Sequence, residues 1–151
     1  MEILIDNRQN NHMISQEKIK KTTQAILSAL DCPDGELSIL IVDDFQIEAM
    51  NRDYLDRSGP TNVISFPMRE GEFLNITPQL IGDVVISIET AMKEAELAGI
   101  SMEDRFNQLL IHGMLHLFGY DHEKSKEESD KMENKSHELL DMLGVNESFD
   151  S

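Results

Sequence analysis

Residues 112–122 read HGMLHLFGYDH, with histidines at 112, 116 and 122 and glycines at 113 and 119. The residues before them predict a helix. Ser101 with Asp104 three residues on forms an N-terminal cap, and Phe106, Leu109, Leu110, Leu117 and Phe118 recur at helical spacing. On such a helix, positions four apart differ by about 40° around the axis, so His112 and His116 leave one face with Cβ atoms roughly 6 Å apart. Gly119 adopts φ > 0 at little cost and turns the chain back, which lets His122 approach the same point. Three imidazoles with an open fourth position describe a catalytic zinc site, since structural sites normally use four protein ligands. Neutral imidazole also suits nickel, copper or iron, so zinc is the first expectation and another divalent ion the alternative.

Working outward, EILIDN at 2–7 alternates as a short strand, and Ser15 caps a helix with Ile19, Ile26, Leu27 and Leu30 on one side. Leu37 to Val42 is a nearly continuous apolar run, as in a strand covered on both faces. Asp43 and Gln46 form a capping box for a helix carrying Phe45, Ile47, Met50 and Tyr54. The turn Ser58-Gly59-Pro60 leads into a strand from Val63 to Phe66, stopped by Pro67. A Gly-, Glu- and Asn-rich loop follows, the natural place for a mobile surface segment. Leu80 to Ser87 reads as another strand, interrupted by Asp83, and Ile88 to Ala98 as a helix closed by Gly99. A last amphipathic helix runs from about Lys124 to Leu143, closed by Gly144, with a frayed tail from about 145 to 151. There is no internal repeat and no low-complexity linker. The expectation is a single α+β domain over 1–151: a small mixed β-sheet, about five helices and a three-histidine metal site at the end of a helix.

Length and charge narrow the function. A chain of 151 residues, 40% of them apolar, is the usual size of one domain with one core. No apolar run approaches the roughly 20 residues of a membrane span, and the first residues lack a signal-peptide pattern, so a cytoplasmic protein without a membrane partner is expected. The lone Cys32 has no intrachain partner and reads as structural. A net charge of −16 argues against whole-surface binding of nucleic acid, because phosphate contacts come from Lys and Arg. Any such contact must be a local basic patch. Arg52 to Arg69 is that place, with three arginines against Asp53 and Asp56. His12 in a polar turn and His137 in the acidic last helix read as surface residues.

The three-histidine spacing is also that of metzincin zinc proteases, HExxHxxGxxH, with Gly113 where the protease has its glutamate. HGMLHLFGYDH, together with the upstream PTNVISFP and IGDVVIS, resembles the YbeY family of metal-dependent endoribonucleases, or rRNA maturation factors, from about Leu37 to Met142. The resemblance implies a small α+β fold and a zinc ion on His112, His116 and His122. It implies cleavage of single-stranded RNA, maturation of the 3′ end of small-subunit rRNA, ribosome quality control and contact with small-subunit ribosomal proteins. No DNA partner is expected. The family pattern places an arginine after the tyrosine that here is Tyr54. This chain has Leu55 there, and Arg57 is the substitute two positions on.

Zinc lowers the pKa of a bound water to about 7 and polarises a phosphoryl oxygen. The activated water or hydroxide can take the proton of the adjacent 2′-OH or attack phosphorus itself, and both routes stay open. Arg57, Asn62, Ser65 and Arg69 lie in the loop and strand that the family sets along the site. Arg57, Asn62 and Arg69 are the expected substrate contacts; Arg57, Ser65 and Asp83 the expected catalytic group. Asp83 is a carboxylate inside an apolar run, which is costly unless it orients a ligand or base or caps a backbone group. Asp121 either partners an imidazole or satisfies the turn. Two rival functions use the same features: a metal-dependent hydrolase of a peptide or small phosphoester, and a non-catalytic ribosome-assembly factor whose zinc pins the last two helices. Gly113, with no side chain to serve as base, weighs against the peptidase.

Overall fold

The structure, a computed structural model, describes residues 3–10, 12–68, 80–121 and 123–145. Along these residues run β1 (Ile3–Asn7), α1 (Gln16–Ala29), β2 (Glu36–Val42), α2 (Asp44–Leu55), β3 (Val63–Pro67), β4 (Leu80–Ser87), α3 (Ile88–Ala98), α4 (Met102–Leu117) and α5 (Lys126–Leu143). The strands form one sheet in the order β1-β2-β4-β3. β1, β2 and β4 are parallel, while β3 runs antiparallel to β4. This is the α+β architecture with a small mixed sheet and five helices. The loop expected to be mobile and the tail from 146 onward lie outside the described residues, as do Arg69 and His122.

Local chemistry sets the helix boundaries. Ser15, Ser101 and Ser125 each accept a hydrogen bond from the backbone N–H three residues on. Because Ser125 is the cap, α5 begins at Lys126 rather than at Lys124. Both halves of the Asp43/Gln46 capping box are made, at 2.8 and 3.0 Å. Val145, at the start of the expected frayed tail, is buried, and its N–H donates to the Leu140 carbonyl as α5 closes on Gly144.

The two faces of the sheet are covered unequally. On one, Ile39, Ile41, Val84 and Ile86 pack with Ile26 and Leu27 of α1, much of α4, and Leu139 and Leu140 of α5. The other carries only a small cluster, Val42, Ile64 and Val85 against Ile47 of α2. In β2, Leu37, Ile39, Ile41 and Val42 are buried while Ser38 and Leu40 are half-buried, so coverage of both faces is incomplete. The apolar stripe read along α2 is corrected in the same sense. Ile47 is buried and Met50 half-buried, but Phe45 is 82% and Tyr54 71% exposed.

α4 is the central helix. Ten of its sixteen residues are buried, including Ile111, Met114 and Leu115 outside the expected stripe. A helix buried on most of its surface belongs in a core. It packs across β3 and β4 and against α3 and α5, so whatever its last turn presents is rigidly held.

Candidate metal centre

The last turns of α4 bring His112 and His116 together. Their Nε2 atoms are 3.1 Å apart, with ring centroids at 4.6 Å and planes at 78°. Imidazole nitrogens sharing a tetrahedral zinc, each about 2.0–2.1 Å from it, stand roughly 3.3 Å apart. The pair therefore fits two ligands of one ion. Both side chains are half-buried, so the nitrogens converge at the edge of the core.

The turn after His116 follows from Gly119, whose φ is +93°. Its N–H donates to the His116 carbonyl and that of Tyr120 to the Leu115 carbonyl, the two bonds that close a helix on a left-handed glycine. The chain thus reverses directly beside the pair. Asp121 Oδ1 accepts from the Glu123 N–H at 2.8 Å, so this carboxylate caps a local backbone donor. His122 itself is outside the described residues, among which there is no group of three His, Cys, Asp or Glu that could hold a metal ion.

Gly113 has a packing cause. A Cβ at this position would lie 2.8 Å from Val84 Cγ1, 3.1 Å from Val63 Cγ2 and 3.3 Å from Ser65 Oγ. Residue 113 faces the sheet, not the space between the imidazoles, and α4 can approach β3 and β4 this closely only where there is no side chain. Ser65 uses the closeness: its hydroxyl donates to the Gly113 carbonyl at 2.8 Å. The hydroxyl ties the edge strand β3 to α4 next to His112.

The other expected site residues divide. Asp83 pairs across the sheet with Phe66 and is followed by Val84, which meets Gly113; strand alternation therefore turns Asp83 to the α2 face, away from the histidine helix. Ser65 and Asp83, grouped as catalytic in the sequence, lie on opposite faces. Asn62 Nδ2 lies 3.4 Å from both carboxylate oxygens of Glu94, long contacts that link the loop before β3 to α3. Arg57 follows a left-handed residue, Asp56 (φ +53°), and is exposed. Arg8, Arg52 and Arg105 each pair with a carboxylate, whereas Arg57 makes no ion pair among the described residues.

A second polar feature of α4 escaped sequence reasoning. Arg105 is wholly buried: its Nε and Nη2 each lie 2.9 Å from Glu94 Oε1, and its Nη1 donates to Gln108 Oε1 at 2.8 Å. Arg105, Gln108 and His112, three and four residues apart, form one polar stripe on a helix otherwise sunk in the core. The signal was in RFNQLLIHG, an arginine and a glutamine in register with the histidine. At the top of the sheet, Asp44 accepts from Ser87 Oγ (2.6 Å), Thr90 Oγ1 (2.5 Å) and Lys93 Nζ (2.9 Å). Partial burial pushes this carboxyl up, but those hydrogen bonds and the Lys93 charge outweigh it and hold its pKa below the ordinary value.

Residues 4–144 match the family model described as Endoribonuclease YbeY. Relatives named Endoribonuclease YbeY include that of Syntrophotalea carbinolica, 51% identical over 91% of this chain and 93% of the relative. Those of Geobacter sulfurreducens (49%; 95% and 96%) and Aquifex aeolicus (42%; 86% and 85%) are similar over comparable spans. Among solved structures, the solution structure of a Thermotoga maritima protein aligns over 99% of this chain and 96% of that one, at a TM-score of 0.62 and 25% identity. With nearly its whole length matched, this chain belongs to the YbeY endoribonuclease family.

Proposed function

We propose that this protein is a single-strand-specific, zinc-dependent endoribonuclease that matures the 3′ end of small-subunit rRNA and serves ribosome quality control in the cytoplasm, beside small-subunit ribosomal proteins. The observation that carries the site is the 3.1 Å approach of the His112 and His116 Nε2 atoms at the end of a rigid helix. With His122 they hold one ion, zinc by the chemistry of the donors, with nickel or another divalent metal able to replace it. When bound, the ion supplies Lewis acidity at a phosphoryl oxygen and a base that works near neutral pH.

The remaining roles belong to the chain. Arg57, exposed and without an ion pair among the described residues, contacts the phosphate and offsets charge built up as phosphorus is attacked. Arg69 contributes a further phosphate contact. Ser65 is a positioning residue through its bond to the Gly113 carbonyl. Asn62 positions the loop before β3 through Glu94. Asp83 stands on the far face of β3 and β4 and acts on the approach of the substrate rather than on protons at the histidine pair. A side chain at Gly113 would press on Val84 and Val63, which disfavours the carboxylate that a peptidase needs beside the first histidine and supports RNA rather than peptide as the substrate. No helix among the described residues is long and apolar enough to cross a membrane.

The test compares wild type with His116→Ala, both metal-replete, on single-stranded and double-stranded RNA. Wild type cuts the single strand, and the variant loses cutting while retaining its helical circular dichroism. A wild type that leaves single-stranded RNA intact refutes the enzyme and favours the assembly factor.

A further inference from the structure

We infer that Tyr54, backed by Phe66, is a stacking platform for a base of the RNA strand flanking the cut; this rests on the endoribonuclease reading of the histidine site. Tyr54 lies in the last turn of α2 and is 71% exposed, so it contributes little to the small α2-face cluster. Its ring meets that of half-buried Phe66 edge-on, with centroids 5.8 Å apart and planes at 78°. An edge-on contact occupies at most one face of the tyrosine, and Phe66, packed on Val85 and its neighbours, fixes the ring's orientation. An exposed ring supported from one side is what a nucleobase stacks on without regard to sequence.

The surroundings give a strand its direction. Ser65 and Phe66 are consecutive on β3, the edge of the described sheet, so their side chains leave opposite faces. Ser65 is bonded to α4 beside His112; Phe66 holds Tyr54. A single strand crossing this edge passes from the histidines on one face to Tyr54 on the other, so the stacked base lies several nucleotides from the one at the histidines. Arg57, three residues after Tyr54 and without a carboxylate partner among the described residues, offers a cation for a phosphate of the strand bound at Tyr54. Asp83, beside Phe66 on the same face, disfavours phosphate at that point of the sheet.

The experiment uses the metal-loaded full chain and a short single-stranded RNA, comparing wild type, Tyr54→Phe and Tyr54→Ala. Tyr54→Ala raises KM about tenfold, the scale of one lost stack, and leaves kcat close to wild type. Tyr54→Phe keeps the wild-type KM, because the ring rather than the hydroxyl binds. An unchanged KM in Tyr54→Ala, or an equal loss in Tyr54→Phe, overturns the platform. Binding is also read without cutting. The chain has two tyrosines, Tyr54 and Tyr120, and no tryptophan, so RNA quenches tyrosine emission in wild type and the quench falls in Tyr54→Phe to what Tyr120 contributes; an equal quench in both overturns the platform. Absence of that quench overturns the platform whether or not the chain cuts RNA. Quenching without any cutting overturns the endoribonuclease reading and leaves the platform standing.

Discussion

α4 and α2 lie on opposite faces of the same sheet and differ in almost every physical respect. α4 buries ten of sixteen residues, including an arginine, and comes so near β3 and β4 that a side chain at residue 113 would press on Val84 and Val63. α2 buries two of twelve and leaves Phe45 and Tyr54 in solvent. Rigidity and accessibility are thus separated. The two histidines proposed as ligands, which would have to stay a fixed distance apart, sit on the deeply packed helix, and the residues proposed to meet a long flexible substrate sit on or just after the shallow one. Preorganised donors avoid reorganisation when the reaction occurs, whereas a platform for RNA must remain open.

The sharpest way to break this contrast is to attack the support of α4. Glu94→Ala leaves the Arg105 guanidinium buried without its carboxylate, and roughly 3–5 kcal/mol of stability should be lost by urea unfolding. A loss comparable to that of a surface substitution would mean that the stripe is not part of the core. Next comes Gly113→Ala. The added methyl meets Val84 and Val63, an overpacking cost of about 1–3 kcal/mol, opposed by alanine's helix preference of about 1 kcal/mol. Net destabilisation is expected; a more stable variant would show that α4 can yield. Gly113→Glu, which restores the protease residue, should be worse and gain no peptidase activity.

A smaller effect tests the clasp between the N-termini of α2 and α3. Asp44 has its folded pKa held below the unfolded value of about 3.9. Its contribution is therefore complete above that unfolded value and is lost as pH falls through it toward the folded pKa. Thermal melts from pH 6 to about 3 should show wild type losing more stability than Asp44→Asn, and parallel curves would remove the clasp. Least affected is Phe45→Ala, within about 0.5 kcal/mol as for other surface sites, whereas Met114→Ala on α4 should cost about 2–5 kcal/mol. Similar losses at the two positions would erase the distinction between the helices.

How far these features could be read in the sequence depends on how local their causes are. The caps at Ser15, Asp43 and Ser101 and the glycine ends at 99, 119 and 144 are decided within a few residues, and they were legible. So was the convergence of His112 and His116, because helical repeat alone fixes their face. The cause of Gly113 was not, since it lies in Val63, Ser65 and Val84, about thirty to fifty residues earlier in the chain. The separation of Ser65 from Asp83 depends on strand register across β3 and β4, which neither segment reveals by itself. Phe45 and Tyr54 read as an apolar stripe because periodicity records spacing and not whether anything covers the face. Buried Arg105 was hidden for a related reason: its partner Glu94 belongs to another helix.

Cleavage of single-stranded RNA by metal-stripped protein, as one divalent ion is titrated back, tests the central claim most directly. The rate should rise with bound metal and level off at one ion per chain. A metal-free chain that cuts as fast as the loaded one would contradict it.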